Sequence, residues 1–112
     1  MAGLTRDPQF GPCVMFGLGG IFTEILKDVS FRLAPLEMRD AMDMMLEIKG
    51  HKILDAIRGM EQVNKETLGE ILIILGRIGL ENERIKEIDV NPLMVHAEGQ
   101  GATALDALIV TD

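Results

Sequence analysis

The feature that most constrains the fold is a pair of apolar segments near the C-terminus, separated by a glycine-containing stretch. Residues 85–95 and 102–110 flank the turn-like stretch 98–101. Apolar runs on either side of such a stretch predict two β-strands joined as a hairpin. Pro92 has no N–H to give to a sheet, so the first run should end or bend there. This end of the chain is therefore expected to form antiparallel sheet.

Within the first of these runs, side chains with oxygen atoms alternate with aliphatic ones. In an extended segment, Glu87, Asp89 and Asn91 share one face, whereas Ile88 and Val90 take the other. The polar face would then carry two carboxylates and an amide just before the proline.

A second carboxylate-bearing strand is expected beside this face. If the hairpin is centred near Gly99, position 106 falls roughly opposite position 92, one residue from Asn91. Asp89, Asn91 and Asp106 would then converge at a strand edge and offer the hard oxygen ligands that Mg²⁺ prefers. The alternative is that these residues bind no metal, because an acidic residue and an asparagine before a proline are common where a strand ends in a turn. The apolar surroundings of Asp106 favour the metal, because a half-buried carboxylate needs a cation or several donors.

Length and composition indicate the class of protein. The 112 residues suit a single domain spanning 1–112, and a content of 47% apolar and 26% charged residues is typical of a globular chain. A net charge of −7 without a Lys/Arg cluster argues against a nucleic-acid partner. A single cysteine, Cys13, excludes an internal disulfide. With no signal pattern and no long apolar segment, we expect no membrane role and a cytoplasmic location.

The N-terminal third reads as a series of strands. We expect residues 1–9 to be polar chain with a turn at Asp7-Pro8. Two apolar runs around Gly19-Gly20 predict a hairpin, and a third strand is expected over 29–33, before Pro35. This order predicts an antiparallel meander.

Two helices are expected in the middle of the chain. Residues 37–48 have apolar side chains at helical spacing, including four methionines that could be flexible core fillers or an adaptable binding surface. Asn64 is a suitable N-cap for a second helix, which Gly79 is expected to close. The sequence thus predicts an α+β fold, a mostly antiparallel sheet with two main helices.

Other motifs in the sequence carry less information. The stretch 17–20 is glycine-rich, but it fails the dinucleotide fingerprint because Phe22 occupies the third glycine position. Arg32 could reach a phosphate or carboxylate from a strand, or form a surface ion pair. Glu24 points either to solvent or into a site.

Four segments of the chain, 7–36, 53–59, 87–93 and 104–110, resemble a known family. They are similar to the ATP-grasp domain of NDP-forming acyl-CoA synthetases, such as ADP-forming acetate–CoA ligase. The similarity runs from about Arg6 to Val110 in the expected order. It implies the fold of a C-terminal ATP-grasp lobe, with the N-terminal lobe absent. It also implies Mg²⁺ with ATP or ADP as cofactor, and phosphoryl transfer through a phosphohistidine.

The resemblance also implies roles for individual residues. The metal ligands map onto Asn91 and Asp106, with Asp89 close by. Further residues fall in family-like motifs and would form the wall of the nucleotide site: Gly19, Gly20, Glu24, Arg32 and Arg58. The chain departs from the family pattern at Leu108, where a basic residue is common, and at Ala56, where glycine is usual.

The predicted function is therefore one side of a nucleotide site in an ADP-forming acyl-CoA synthetase. Alone, the chain is expected to be inactive, because it needs a chain that supplies the missing ATP-grasp lobe and a CoA-ligase subunit. The apolar face that the missing lobe would cover makes homo-oligomers plausible. The alternative is a non-catalytic interaction or assembly domain that keeps the fold of the ATP-grasp lobe.

Overall fold

The computed structural model describes residues 1–18, 28–54, 64–91, 93–95 and 101–112. In chain order the elements are β1 (Ala2–Asp7), β2 (Gly11–Gly17), β3 (Val29–Leu33), α1 (Met38–Glu47), a short 3₁₀ helix (His51–Leu54), α2 (Lys65–Glu81), β4 (Ile85–Val90), β5 (Leu93–Val95), β6 (Ala102–Ala104) and β7 (Ala107–Thr111).

The described strands form two antiparallel sheets. The larger has the order β3-β2-β1-β4-β7, and β5 pairs with β6 in the smaller one. The predicted α+β fold, a mostly antiparallel sheet with two main helices, is confirmed. Within the described ranges, no helix is both long enough and apolar enough to cross a membrane.

Residues 1–9 were expected to be polar chain and no strand was assigned to them, but they contain β1, the central strand of the larger sheet. Ala2 and Leu4 are fully buried. They alternate with Gly3, whose place a larger residue could not take, since an added Cβ would lie 2.7 Å from the carbonyl oxygen of Ile88. With only two apolar positions, the period-2 signal is too short to stand out in the sequence.

The predicted turn after β1 is present. One carboxylate oxygen of Asp7 accepts hydrogen bonds from the backbone N–H groups of Gln9 (2.8 Å) and Phe10 (2.9 Å). The chain then returns as β2, which pairs with β1 and with β3. The predicted strand at 29–33 is confirmed, whereas the hairpin expected at Gly19-Gly20 lies outside the described residues.

The first predicted helix is confirmed with nearly the expected ends. Glu37 caps α1, and its backbone N–H donates to a carboxylate oxygen of Asp40 at 2.8 Å. Met44 and Met45 are buried. Their burial favours the interpretation of these methionines as core fillers.

The second predicted helix begins as expected but ends later. The side chain of Asn64 accepts a hydrogen bond from Thr67 N–H at 3.1 Å, as an N-cap does. The prediction that Gly79 closes the helix is wrong, because α2 continues to Glu81. Gly79 instead permits close packing on the sheet, since a Cβ there would lie 2.9 Å from side-chain atoms of both Leu4 and Pro12.

Both helices lie on one face of the larger sheet. Residues paired across antiparallel strands share a face, so Leu4 lies on the same side as Val14 and Ile88, its partners in β2 and β4. These three are buried with α2 residues in one core. The opposite side, here called the open face, has no described helix over it, and it carries the candidate site.

Candidate functional site

The candidate site lies where β4 ends and β7 begins. Val90 pairs with Ala107, and one residue further the backbone N–H of Asn91 donates to the carbonyl oxygen of Asp106 at 3.1 Å. The predicted register was off by one residue, since Asp106 lies opposite position 91 and not position 92. The observed pairing brings the two predicted ligands closer together.

Asp89 lies on the same side of the sheet as this pair. It is opposite Gly3 on one neighbouring strand and Leu108 on the other, and it points away from the helix face that Ile88 occupies. Two residues further along, Asn91 faces the same way, and the cross-strand pairing places Asp106 beside it. The register therefore brings Asp89, Asn91 and Asp106 to one edge of the open face.

The Asp89 carboxylate has an unusual environment. Its Oδ1 atom is buried and has no hydrogen-bond partner in the described part of the chain. Gly3, directly opposite, has no side chain that could cover or pair with it. Leaving a buried acceptor unpaired costs about 1–3 kcal/mol, and more when the group is charged. A bound cation would remove this cost.

A positive charge lies near Asp89 at the start of the chain. The ammonium group of Met1 donates to the carbonyl oxygen of Gly17 at 2.6 Å. Burial lowers the pKa of this ammonium group, and the negative charge of Asp89 raises it in part.

The other two candidate ligands are more accessible. Asp106 is exposed, and its Oδ1 accepts a hydrogen bond from the backbone N–H of Ala107 at 2.9 Å, which orients the carboxylate. Asn91 is half-buried. Among the described residues, no cluster of three or more His, Cys, Asp or Glu side chains could hold a metal ion. A metal here would depend on the amide oxygen of Asn91 and on oxygens of a ligand.

This donor set fits Mg²⁺. Magnesium is commonly bound by one or two carboxylates together with water and substrate phosphates, and not by a complete protein cage. Asp89 and Asp106 supply two carboxylates, and the buried Oδ1 of Asp89, which has no hydrogen-bond partner among the described residues, is an acceptor that a cation could satisfy. The residues present therefore suit a magnesium–phosphate group.

Arg32 is not brought to this edge. It pairs with Val14, whose side chain is buried on the helix face. Its guanidinium group forms an ion pair with Glu47 and also donates to the carbonyl oxygen of Phe31 at 2.7 Å. Four further predicted site residues lie outside the described residues: Gly19, Gly20, Glu24 and Arg58.

The structure adds apolar residues that the sequence interpretation had not assigned to a site. Phe31 and Leu33 on β3, and Leu108 and Val110 on β7, are exposed on the open face. Leu108 is 58% exposed beside Asp89. The signal for this surface was the unbroken apolar run 107–110, since such runs are typical of strands covered on both faces.

Comparison with known proteins defines the class. A family model described as "ATP-grasp domain" matches residues 1–111, so the chain belongs to the ATP-grasp family. It is 52% identical over 110 residues to subunit beta of ADP-forming acetate–CoA ligase I from Pyrococcus furiosus. That match covers 98% of this chain and 47% of the relative, so the chain spans about half the length of that subunit.

Solved structures agree with this assignment. The apo form of dinucleotide forming acetyl-coenzyme A synthetase 1 from Ca. Korarchaeum cryptofilum superposes with a TM-score of 0.93 at 51% identity, covering 99% of this chain and 52% of that one. A second structure of that enzyme gives a TM-score of 0.92 at 51% identity, with coverage of 99% and 51%. It contains coenzyme A and Mg-AMPPCP, with its phosphohistidine segment pointing towards the nucleotide binding site.

Proposed function

We propose that this chain forms the Mg-nucleotide side of an ATP-grasp site in an ADP-forming acyl-CoA synthetase. The observation that carries the proposal is the buried Oδ1 of Asp89, which has no hydrogen-bond partner in the described ranges and lies at the edge where Asn91 and Asp106 are paired. The relationship to ADP-forming acetate–CoA ligases and to a synthetase that contains Mg-AMPPCP supports it.

In this proposal the three side chains have distinct roles. Asp106, exposed and oriented by Ala107 N–H, and Asn91, fixed beside it by the backbone, hold the metal directly. Asp89 lies deeper and contributes negative charge that favours a divalent cation at this edge. Mg²⁺ held by these residues would offset the charge that develops on the phosphate during phosphoryl transfer.

In this proposal the open face forms the rest of the nucleotide's surroundings on the side that this chain contributes. Its exposed apolar residues, including Phe31 and Leu108, would exclude water once the other lobe closes over the nucleotide. The reaction we propose for the complete enzyme converts an acyl-CoA, ADP and phosphate into a free acid, CoA and ATP, with a phosphohistidine as carrier. Neither the second lobe nor the phosphohistidine comes from the described part of this chain, so the chain alone should be inactive.

Calorimetry tests this proposal. Mg-AMPPCP is titrated into the chain mixed with the part of the P. furiosus subunit that the chain does not match. We expect measurable heat, and at least tenfold weaker binding for Asn91→Ala and Asp106→Ala. The control is Asp43→Ala, which removes an exposed carboxylate on α1. Equal binding by all variants, or no heat at any concentration, would contradict the proposal.

The second candidate function is a non-catalytic assembly domain, which the exposed apolar side chains of the open face favour. It predicts that the chain still associates with the rest of the subunit while Mg-AMPPCP gives no heat. Under it, Asn91→Ala and Asp106→Ala leave that association unchanged. The same titration therefore separates the two functions.

A further inference from the structure

Asp89 lies between two residues whose side chains cannot pair with it. On β1 it is opposite Gly3, which has no side chain, and on β7 it is opposite Leu108, whose side chain has no polar atom. Residues directly opposite on antiparallel strands have Cβ atoms about 4.5–5.5 Å apart, so they are the nearest cross-strand partners of a charged side chain. The negative charge of Asp89 is therefore not compensated by either cross-strand neighbour.

The charged groups along β4 and β7 do not supply this compensation. The two strands contain one cationic residue, Lys86, and it forms an ion pair with Asp112 (2.9 Å) at the end of the strands away from the candidate site. Glu87, two residues before Asp89 on the same face, adds a further negative charge. The ammonium group of Met1 nearby already donates to a backbone carbonyl oxygen at 2.6 Å.

We propose that Leu108 determines how strongly nucleotide binding depends on the metal, an inference that rests on the proposed function. Because Leu108 places no charge opposite Asp89, the divalent cation is the group that compensates this carboxylate when nucleotide binds. A cationic side chain in place of Leu108 would compete with the metal for Asp89 and would itself attract the phosphates. Leu108 thus acts through Asp89 and favours the metal-bound nucleotide over the metal-free one.

Calorimetry with and without metal tests this role. The affinity for AMPPCP is measured first with Mg²⁺ and then with EDTA, in the chain mixed with the unmatched part of the P. furiosus subunit. The ratio of the two affinities measures the metal dependence. We expect Leu108→Lys to lower this ratio about tenfold, by weakening binding with Mg²⁺ and strengthening it with EDTA. Leu108 is 58% exposed, so the longer side chain fits without disturbing the fold.

Two control variants separate the effect of charge from other effects. Leu108→Gln removes the apolar side chain without adding a charge, so it should change both affinities alike and leave their ratio unchanged. Leu46→Lys adds the same charge on α1, at a position that is 61% exposed, and should also leave the ratio unchanged. An unchanged ratio in Leu108→Lys, or an equal fall in either control, would overturn the proposal.

A double-mutant cycle without metal or nucleotide tests the cross-strand relationship itself. The shift in the urea midpoint caused by Leu108→Lys is measured in EDTA, in the unchanged chain and in the Asp89→Asn variant. We expect the lysine to raise the midpoint more when Asp89 is present, because opposite charges directly across two strands attract. Equal shifts in the two backgrounds would overturn the proposal.

The two experiments also distinguish this proposal from the proposed function. Heat from Mg-AMPPCP with the same metal dependence in Leu108→Lys would contradict the role of Leu108 alone. No heat from Mg-AMPPCP in the unchanged chain, even with the coupling to Asp89 present, would contradict the proposed function and with it the role of Leu108.

Discussion

The backbone N–H of Asn91 donates to the carbonyl oxygen of Asp106 at 3.1 Å, and this bond joins the two sheets of the structure. The strand register is the same on both sides of it, since Val90 pairs with Ala107 before the bond and Leu93 with Ala104 after it. The described pairs on both sides of Asn91 therefore keep one register, and the backbone pairing of Asn91 with Asp106 holds two of the candidate ligands side by side.

Arg6 should contribute strongly to stability. Its guanidinium group donates to the carbonyl oxygen of Ile85 (2.6 Å) at the start of β4. It also donates to those of Gly79 (2.8 Å) and Asn82 (2.6 Å) at the end of α2, where the last carbonyls of a helix have no partner within the helix. Hydrogen bonds to a charged group contribute about 1.5–3 kcal/mol each. Because one of these three bonds is exposed and the other two are only part-buried, we expect Arg6→Ala to lower the free energy of unfolding by about 2–4 kcal/mol in total.

Urea denaturation followed by circular dichroism measures this change. The matched control is Arg39→Ala, because Arg39 lies on the surface and pairs with exposed Glu37 at 3.3 Å. Surface ion pairs contribute about 0–1 kcal/mol, so the control should change stability little. Equal effects of the two substitutions would show that the contacts of Arg6 are not stabilising.

Two glycines of α2 should respond oppositely to alanine. At Gly79 the added methyl group meets the rigid ring of Pro12 and the branched end of Leu4, both at 2.9 Å. At Gly69 it meets the sulfur of Met38 at 2.6 Å, an atom near the end of a flexible side chain. We expect Gly79→Ala to destabilise by about 1–3 kcal/mol through overpacking.

Gly69→Ala should be neutral or stabilising, because alanine favours a helix interior over glycine by about 1 kcal/mol and Met38 can move. Thermal unfolding of both variants and the unchanged chain gives the comparison. A Gly79→Ala variant at least as stable as Gly69→Ala would contradict the packing described between α2 and β1.

The Cys13 thiol should react slowly with alkylating reagents at neutral pH. Burial raises its pKa, the negative charge of Asp7 raises it further, and a hydrogen bond from the backbone of Arg32 lowers it in part. Because the thiolate is the reactive form, a raised pKa moves the rise of the alkylation rate to higher pH. We expect the midpoint of the pH–rate profile for the folded chain to lie above that of the urea-unfolded chain. A midpoint at or below it would contradict the environment described.

The helices and the C-terminal strands were predictable because their signals are local and repeated. Residues 37–48 carry helical spacing over three turns, and Asn64 is a recognisable cap. The central strand β1 was missed because its burial comes from its position between β2 and β4 and not from its own apolar content. Gly79 was misread for a related reason, since its lack of a side chain serves contact with distant residues of the sheet.

The candidate site was predictable only in part. Alternation along β4 placed Asp89 and Asn91 on one face, but the exact partner of Asp106 required the register of β7. Asp89 lies opposite Gly3, which is 86 positions away in sequence and adjacent in the sheet, so the buried environment of its Oδ1 could not be read from neighbouring residues. Likewise, the Arg32 side chain forms its ion pair with Glu47, a residue of α1 that is distant in sequence. Such relationships arise from tertiary packing and leave no local pattern.

The most direct test of the account is whether a divalent ion binds at Asp89, Asn91 and Asp106 together with nucleotide. Mn²⁺ in place of Mg²⁺ can be followed by electron paramagnetic resonance in the chain mixed with the unmatched part of the P. furiosus subunit and AMPPCP. The account predicts a bound Mn²⁺ signal that Asn91→Ala, Asp106→Ala and Asp89→Ala each weaken, while Asp43→Ala leaves it intact. A signal of equal strength in all four variants would contradict it.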